Sequence, residues 1–443
     1  MDGTNGTRAG GKAIILFSDG TGNSSAKLFK TNVWRLYEAV DLRVPQGDEP
    51  PQIAFYDNGV GTSAFRPLAL LGGIFGYGLK RNVQALYAFL CRNYEPGDRI
   101  YLFGFSRGAF TVRLLGGFIA SQGVLRTESA TDLAYQVRDA YRAYCAANWP
   151  RSWIAKQVAK GFRAVRDGAL HLKRRLKGQK LYDNVPKLHP EIEFVGVWDT
   201  VAAYGGPFAE LTRGIDDWVW PLTMPDYELS PKVKRARHAL SLDDERDAFQ
   251  PLLWDEHREE LLRKHGKEML VTGPDGTTST VLLYPEPGRI RQVWFAGVHS
   301  DVGGGYPDES LSYVPLLWMM EELGGDLRLL PHFVEHAKSL ANPMGPIHDS
   351  RAGVGAYYRY QPRKILAMLH PPRTATLSMR DPAIHLPGKP PHGMLKSVTV
   401  HETVLARMVA GIDGYAPSAL PANFHVEFAR DGLLRPSLTP ADV

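Results

Sequence analysis

Gly104-Phe105-Ser106-Arg107-Gly108 is the one G-x-S-x-G stretch of this chain. It lies between an apolar run, Arg99-Ile100-Tyr101-Leu102-Phe103, and a run of helical character from Ala109 to Leu115. A strand, a sharp turn and a helix make the setting of a nucleophile elbow. Small neighbours there let the serine sit on a strained bend, and the helix N-terminus faces developing negative charge. The competing interpretation is a glycine-rich turn whose serine caps the helix.

A serine hydroxyl is a weak nucleophile until a base takes its proton. In α/β-hydrolases the acid and then the histidine follow the serine in chain order. Asp199 closes the apolar run Phe194-Val195-Gly196-Val197-Trp198, and strand ends are where such folds place chemistry. An acid there would hold the imidazole in the useful tautomer. Asp183, Asp216, Asp226 and Asp243 compete with it, but none ends an obvious buried strand. Fourteen histidines make any single one uninformative. His299 differs because it follows Val293-Trp294-Phe295 and opens Ser300-Asp301-Val302-Gly303-Gly304-Gly305-Tyr306, a loop flexible enough to bring a ring over the serine. Its plainer role would be a turn histidine bonded to Asp301, and His238 and His401 are the fallback bases.

An oxyanion needs backbone N–H donors. The expected ones are Arg107, directly after the serine, and Gly20 and Thr21 in the loop Asp19-Gly20-Thr21-Gly22-Asn23. A phosphatase loop would need an acid two residues before Asp19, where Phe17 stands. No G-x-x-x-x-G-K-[ST] follows a strand, which excludes a P-loop. No cluster has the spacing of a clear metal site, Asp301 with Asp308 being the weak candidate, so no metal and no cofactor is expected.

The elements that must carry these residues follow from periodicity. Ala13–Phe17, Gln52–Tyr56, Arg99–Phe103, Glu191–Trp198 and Arg289–Phe295 are strand candidates. Thr31–Val40, Asn82–Tyr94, Ser106–Ala120 and a segment from about Ser310 have helical spacing. Strands alternating with helices predict an α/β fold, a mostly parallel sheet covered on both faces. Pro274-Asp275-Gly276 within Thr272–Thr280 predicts a protruding hairpin. Residues 1–11 read as a loose leader, 12–330 as the catalytic domain and 331–443 as a C-terminal extension packed on the core.

The 443 residues are 44% hydrophobic and 22% charged, which excludes a disordered chain, a collagen-like repeat and a long coiled coil. Two cysteines, Cys91 and Cys145, exclude a disulfide framework and point to folding in a reducing compartment. Met1 to Arg8 shows no signal-peptide pattern, and Pro67–Leu79 is too short and glycine-rich to span a bilayer. Cytoplasmic synthesis is expected, with any export by a route that needs no cleaved signal.

The net charge of +5 is local in origin. Arg151–Lys180 holds ten basic residues, among them Arg163, Lys173, Arg174 and Arg175, against one acid, Asp167. Trp153, Ile154, Val158, Phe162, Val165, Leu172 and Leu176 make an apolar stripe along it. The segment 145–190 therefore reads as a basic amphipathic helical insertion or lid. Peripheral contact with an anionic membrane suits it better than nucleic acid, and plain packing on the body competes with both.

Four strings taken together resemble one family. They are Phe17-Ser18-Asp19-Gly20-Thr21-Gly22-Asn23, Gly104-Phe105-Ser106-Arg107-Gly108-Ala109-Phe110, Gly196-Val197-Trp198-Asp199-Thr200-Val201, and Val293 to Tyr306 with its His-Ser-Asp-Val-Gly-Gly-Gly-Tyr core. Leu240–Arg246 and His401-Glu402-Thr403-Val404 add to them. The set resembles the catalytic-domain family of type VI secretion phospholipase effectors. The resemblance implies an α/β-hydrolase-like fold and hydrolysis of phospholipid acyl esters, with Ser106 as nucleophile, Asp199 as acid and His299 as base. The basic insertion is unusual for that family. A hydrolase of soluble esters or thioesters is the alternative within this chemistry. A non-catalytic protein that binds anionic surfaces or nucleic acid on a hydrolase fold is the alternative outside it.

Overall fold

Alternation along one buried strand explains the layering. In β1 (Ala13–Ser18) every residue is buried. Ile14 and Leu16 pack into one core, while Ala13, Ile15 and Phe17 pack into another on the opposite face. A strand covered on both sides needs an uninterrupted apolar run, which this segment has. The computed structural model describes residues 11–20, 29–45, 47, 49–59, 73–127, 129–148, 185–202, 227–352, 358–369 and 393–429.

The other strands, in chain order, are β2 (Gln52–Asp57), β3 (Arg99–Phe105), β4 (Val124–Leu125), β5 (Lys187–Leu188), β6 (Ile192–Trp198), β7 (Val233–Ser241), β8 (Lys267–Thr272), β9 (Thr278–Leu283), β10 (Ile290–Phe295), β11 (Thr399–His401) and β12 (His425–Glu427). Eight of them form one sheet in the order β12-β11-β10-β7-β6-β3-β1-β2. All its pairings are parallel. The fold is α/β and hydrolase-like, as expected. The chain steps outward from β1 to β2 and then returns to place β3 on the other side of β1. In open parallel sheets ligands usually sit at the carboxyl ends of the strands on either side of such a reversal, here β1 and β3.

Helices α1 (Asn32–Ala39), α2 (Gly73–Asn93), α3 (Arg107–Gln122) and α4 (Ala130–Asn148) come from the first half. Among them α2, α3 and α4 cover one face, and α3 is buried at most positions because it lies between the sheet and its two neighbours. The second half supplies α5 (Glu256–His265), α6 (His299–Gly303), α7 (Tyr313–Leu323), α8 (Pro331–Leu340), α9 (Ile365–Leu369) and α10 (Glu402–Ala410). α1 and α7 cover the other face with Val33, Leu36, Leu316, Leu317 and Trp318. Each fully buried Leu, Ile or Phe in these layers contributes roughly 2 kcal/mol.

The hairpin expected around Pro274-Asp275-Gly276 is the antiparallel pair β8–β9. β7 has no counterpart in the apolar pattern. Lys234, Arg235, Arg237 and His238 interrupt its run, yet Arg237 and His238 are buried. Arg237 pairs with Glu322, and His238 accepts the Thr200 amide hydrogen at 3.1 Å. The C-terminal part adds β11 and β12 to the edge of the main sheet. The basic segment 151–180 lies outside the described residues. Among the described residues no helix is long and apolar enough to cross a membrane.

Candidate active site

Strand register brings the ends together. Phe105 of β3 pairs with Trp198 of β6, Trp198 with Ala239 of β7, and Ser241 of β7 with Phe295 of β10. Ser106 and Asp199 therefore leave neighbouring strands at the same level. The ladder continues one step past them: Ser106 N–H donates to the Trp198 carbonyl at 3.0 Å, and Asp199 N–H to that of Ala239 at 2.7 Å.

Ser106 stands at φ 59°, ψ −123°, a conformation that costs a non-glycine residue about 1–3 kcal/mol. Its surroundings enforce it. A Cβ on Gly108 would lie 2.0 Å from the Ser18 carbonyl oxygen, so only glycine lets α3 start this close to β1. The serine precedes α3 but makes no side-chain cap bond. Its Oγ lies 2.8 Å from His299 Nε2 instead.

His299 opens α6, which packs closely on β3 because Gly303 has no Cβ; one there would fall 1.9 Å from the Phe105 ring. The imidazole sits between Phe105 (centroids 4.6 Å apart) and Phe249 (4.9 Å, edge-on). Its backbone N–H donates to Asp244 Oδ2 at 3.1 Å. Nδ1 lies 2.6 Å from Asp199 Oδ2. Asp301, the competing partner, is taken up by the Val298 amide and by the His348 ring at 2.6 Å.

Asp199 is fully buried and has a positive φ of 35°. Oδ1 accepts the Ser241 amide hydrogen at 3.0 Å. Oδ2 accepts from the Ser241 hydroxyl at 3.0 Å and from Arg363 at 2.6 Å, besides His299. Burial alone would raise this carboxyl's pKa. The Arg363 guanidinium, His299 and the Ser241 amide outweigh burial and hold it below the ordinary carboxylate range. For His299 burial dominates and lowers the imidazole below its usual value, against the pull of Asp199.

Directly after β1, Asp19 gathers several donors. Asp19 accepts from Thr31 Oγ1 at 2.6 Å and Tyr56 OH at 2.5 Å, and the Gly20 amide donates to Asp19 Oδ1 at 2.6 Å. Thr21 lies outside the described residues. Arg107 opens α3, and burial brings its guanidinium down to about 10, with Tyr358 opposing. Trp153, Phe162, Arg163, Lys173, Arg174 and Arg175 also lie outside the described residues, as do Asp183, Asp216 and Asp226.

Asp243, unlike the expectation, does follow a buried strand, β7; it accepts from the Gly297 amide at 2.6 Å and Tyr415 OH at 2.9 Å. His238 and His401 are core histidines, both brought down to about 3 by burial. Asp301 and Asp308 are engaged separately, the latter with Ser310 at 2.9 Å. Four residues that touch this centre escaped the sequence: Ser241, Asp244, Phe249 and Arg363. Ser241 and Asp244 lie in the family-like string Leu240–Arg246; Phe249 and Arg363 carry no local signal.

A family model described as "T6SS, Phospholipase effector Tle1-like, catalytic domain" matches residues 12–322, and the chain belongs to that family. An uncharacterized protein of Saccharomyces cerevisiae is 30% identical over 259 residues, which is 55% of this chain and 32% of the yeast protein. The chain thus spans about a third of that relative's length. Among solved structures, the Tle1 effector bound to the VgrG spike from the type VI secretion system aligns at TM-score 0.33 and 18% identity, over 69% of this chain and 53% of that one. An uncharacterized protein from Pseudomonas aeruginosa aligns at TM-score 0.34 and 19% identity, over 73% and 47%.

Proposed function

We propose that the chain is a serine ester hydrolase of phospholipase type, in which Ser106, His299 and Asp199 act as one unit. The observation that carries this reading is the unbroken line of contacts from Ser106 Oγ to His299 Nε2 (2.8 Å) and from His299 Nδ1 to Asp199 Oδ2 (2.6 Å). In the working tautomer Nδ1–H donates to the carboxylate, which leaves Nε2 to accept the serine proton. Ser106 Oγ then attacks an acyl carbonyl carbon. The tetrahedral oxyanion is met by the Arg107 amide at the start of α3; the Gly20 amide, the other expected donor among the described residues, is already bonded to Asp19. Collapse expels the alcohol, which takes the proton from His299, and leaves an acyl-serine that water cleaves by the same route in reverse. Phe249, partly exposed and edge-on to the imidazole, gives the acyl chain an apolar wall there.

The family description favours a phospholipid as the ester. The basic stripe of residues 151–180 favours an anionic bilayer as the form in which it is met. Release of fatty acid from anionic phospholipid vesicles, compared with cleavage of a short soluble ester, tests both parts. Ser106→Ala is expected to remove both activities by about 10⁴-fold or more while the fold is kept. Retained hydrolysis in that variant would exclude the mechanism. Removal of 151–180 is expected to impair vesicle hydrolysis alone, and equal losses on both substrates would exclude the membrane role.

A further inference from the structure

We propose that Arg363 is a positioning residue for this site: its guanidinium keeps Asp199 ionised and aimed at His299, so the centre is complete only when the segment around residues 359–364 is docked. The inference rests on the reading of Ser106, His299 and Asp199 given above. It adds a residue that lies beyond the stretch 12–322 matched by the family model.

Arg363 is wholly buried in its side chain, as is its partner Asp199. One terminal nitrogen donates to Asp199 Oδ2 at 2.6 Å and to Ser241 Oγ at 2.5 Å. The other donates to the carbonyl of Phe249, the residue whose ring stands edge-on to His299. One guanidinium therefore holds the acid, the hydroxyl that braces the acid, and the aromatic wall of the base.

The segment carrying it is seated by backbone. Gln361 N–H donates to the Glu245 carbonyl at 2.7 Å, and Asp247 N–H to that of Arg359 at 3.0 Å. Gln250 closes the seat through the Gln361 and Pro362 carbonyls at 3.3 and 3.2 Å.

Charge is what Asp199 needs from this partner. A carboxylate out of reach of water takes up a proton unless a cation or several donors compensate it, and a neutral acid cannot steady an imidazolium. Among the described residues the charged groups around the pair are few. Asp244 and Arg246 face His299, drawing its affinity for a proton in opposite directions. Arg113 and Asp199 both act on His238, which burial keeps neutral. Ser241, Phe249 and Phe105 are uncharged. Among the described residues Arg363 is thus the arginine or lysine in direct contact with Asp199.

The test uses full-length Arg363→Met and Arg363→Lys, with kcat/KM for a short soluble ester followed against pH. The Met variant is expected to lose at least about tenfold at neutral pH, and its acid limb to move up by about one unit as Asp199 begins to titrate. The Lys variant is expected to keep the native limb while kcat falls several-fold, because an ammonium cannot bridge acid, hydroxyl and carbonyl at once. A folded Met variant with the native limb would overturn the proposal, and so would identical, unshifted losses in both variants, which would leave packing as the explanation. Should the Met variant fail to fold, Arg363→Lys decides alone, and an undiminished kcat would overturn the proposal. Absence of Ser106-dependent ester cleavage in the native chain would instead sink the hydrolase reading itself.

Discussion

Two buried arginine–carboxylate networks flank the same strands, one at each end of the sheet. Towards the amino ends, Glu322 pairs with Arg237, and its other oxygen receives Arg291 at 2.6 Å. Arg237 spends its remaining donors on the carbonyls of Ala236 and Arg289 at 3.0 and 2.9 Å, and Arg289 is clamped by Glu259 at 2.5 and 2.6 Å. At the carboxyl ends, Asp199 has Arg363 and Ser241 in the same roles but gives part of one oxygen to the His299 ring. The first network is closed on carboxylates, guanidiniums and backbone carbonyls bonded to one another. The second is left open on an imidazole whose other nitrogen meets a hydroxyl. Like ingredients hold strands together in one place and prepare a proton transfer in the other; the single titratable ring makes the difference.

That contrast can be broken in order of expected effect. Asp199→Asn should cut kcat by about 10⁴-fold through the wrong imidazole tautomer, as read by ester kinetics on the folded protein. Beside it stands a stability cost of about 3–5 kcal/mol from leaving the buried Arg363 unpaired, read by denaturant titration. A kcat loss below tenfold would place Asp199 with the structural carboxylates. Glu322→Gln should share the cost in stability but spare the chemistry. Stranding Arg237 in the interior should cost about 3–5 kcal/mol of stability in denaturant titrations while leaving kcat near native. A selective loss of kcat there would erase the distinction between the ends.

The smallest effect concerns pH. His299 must be neutral to accept the serine proton, so activity rises as pH climbs through its pKa. Burial lowers that pKa, so the acid limb of kcat/KM should fall below the ordinary imidazole value of 6.5. A limb above 6.5 would mean that Asp199 outweighs burial.

What was legible in the sequence follows the same division. Residues 13–17 of β1, 100–105 of β3, 194–198 of β6 and 293–295 of β10 are continuous apolar runs because both their faces are covered, and Ser106, Asp199 and His299 each follow such a run. The charges in β7 hid a central strand, since what neutralises them lies far off in sequence: Glu322 is 85 positions from Arg237. Arg363 was illegible for a related reason. It reaches Asp199 across 164 positions from a segment with no hydrophobic period, and its neighbours give no hint of its burial. β11 and β12, three residues each, are too short for periodicity to register.

Labelling with a fluorophosphonate, followed by mapping of the modified residue, interrogates the Ser106 hydroxyl most directly. The predicted result is a single adduct on Ser106 that disappears in His299→Ala. A chain that stays unlabelled while folded, or carries its adduct on another residue with Ser106 untouched, would contradict a nucleophilic role for that serine.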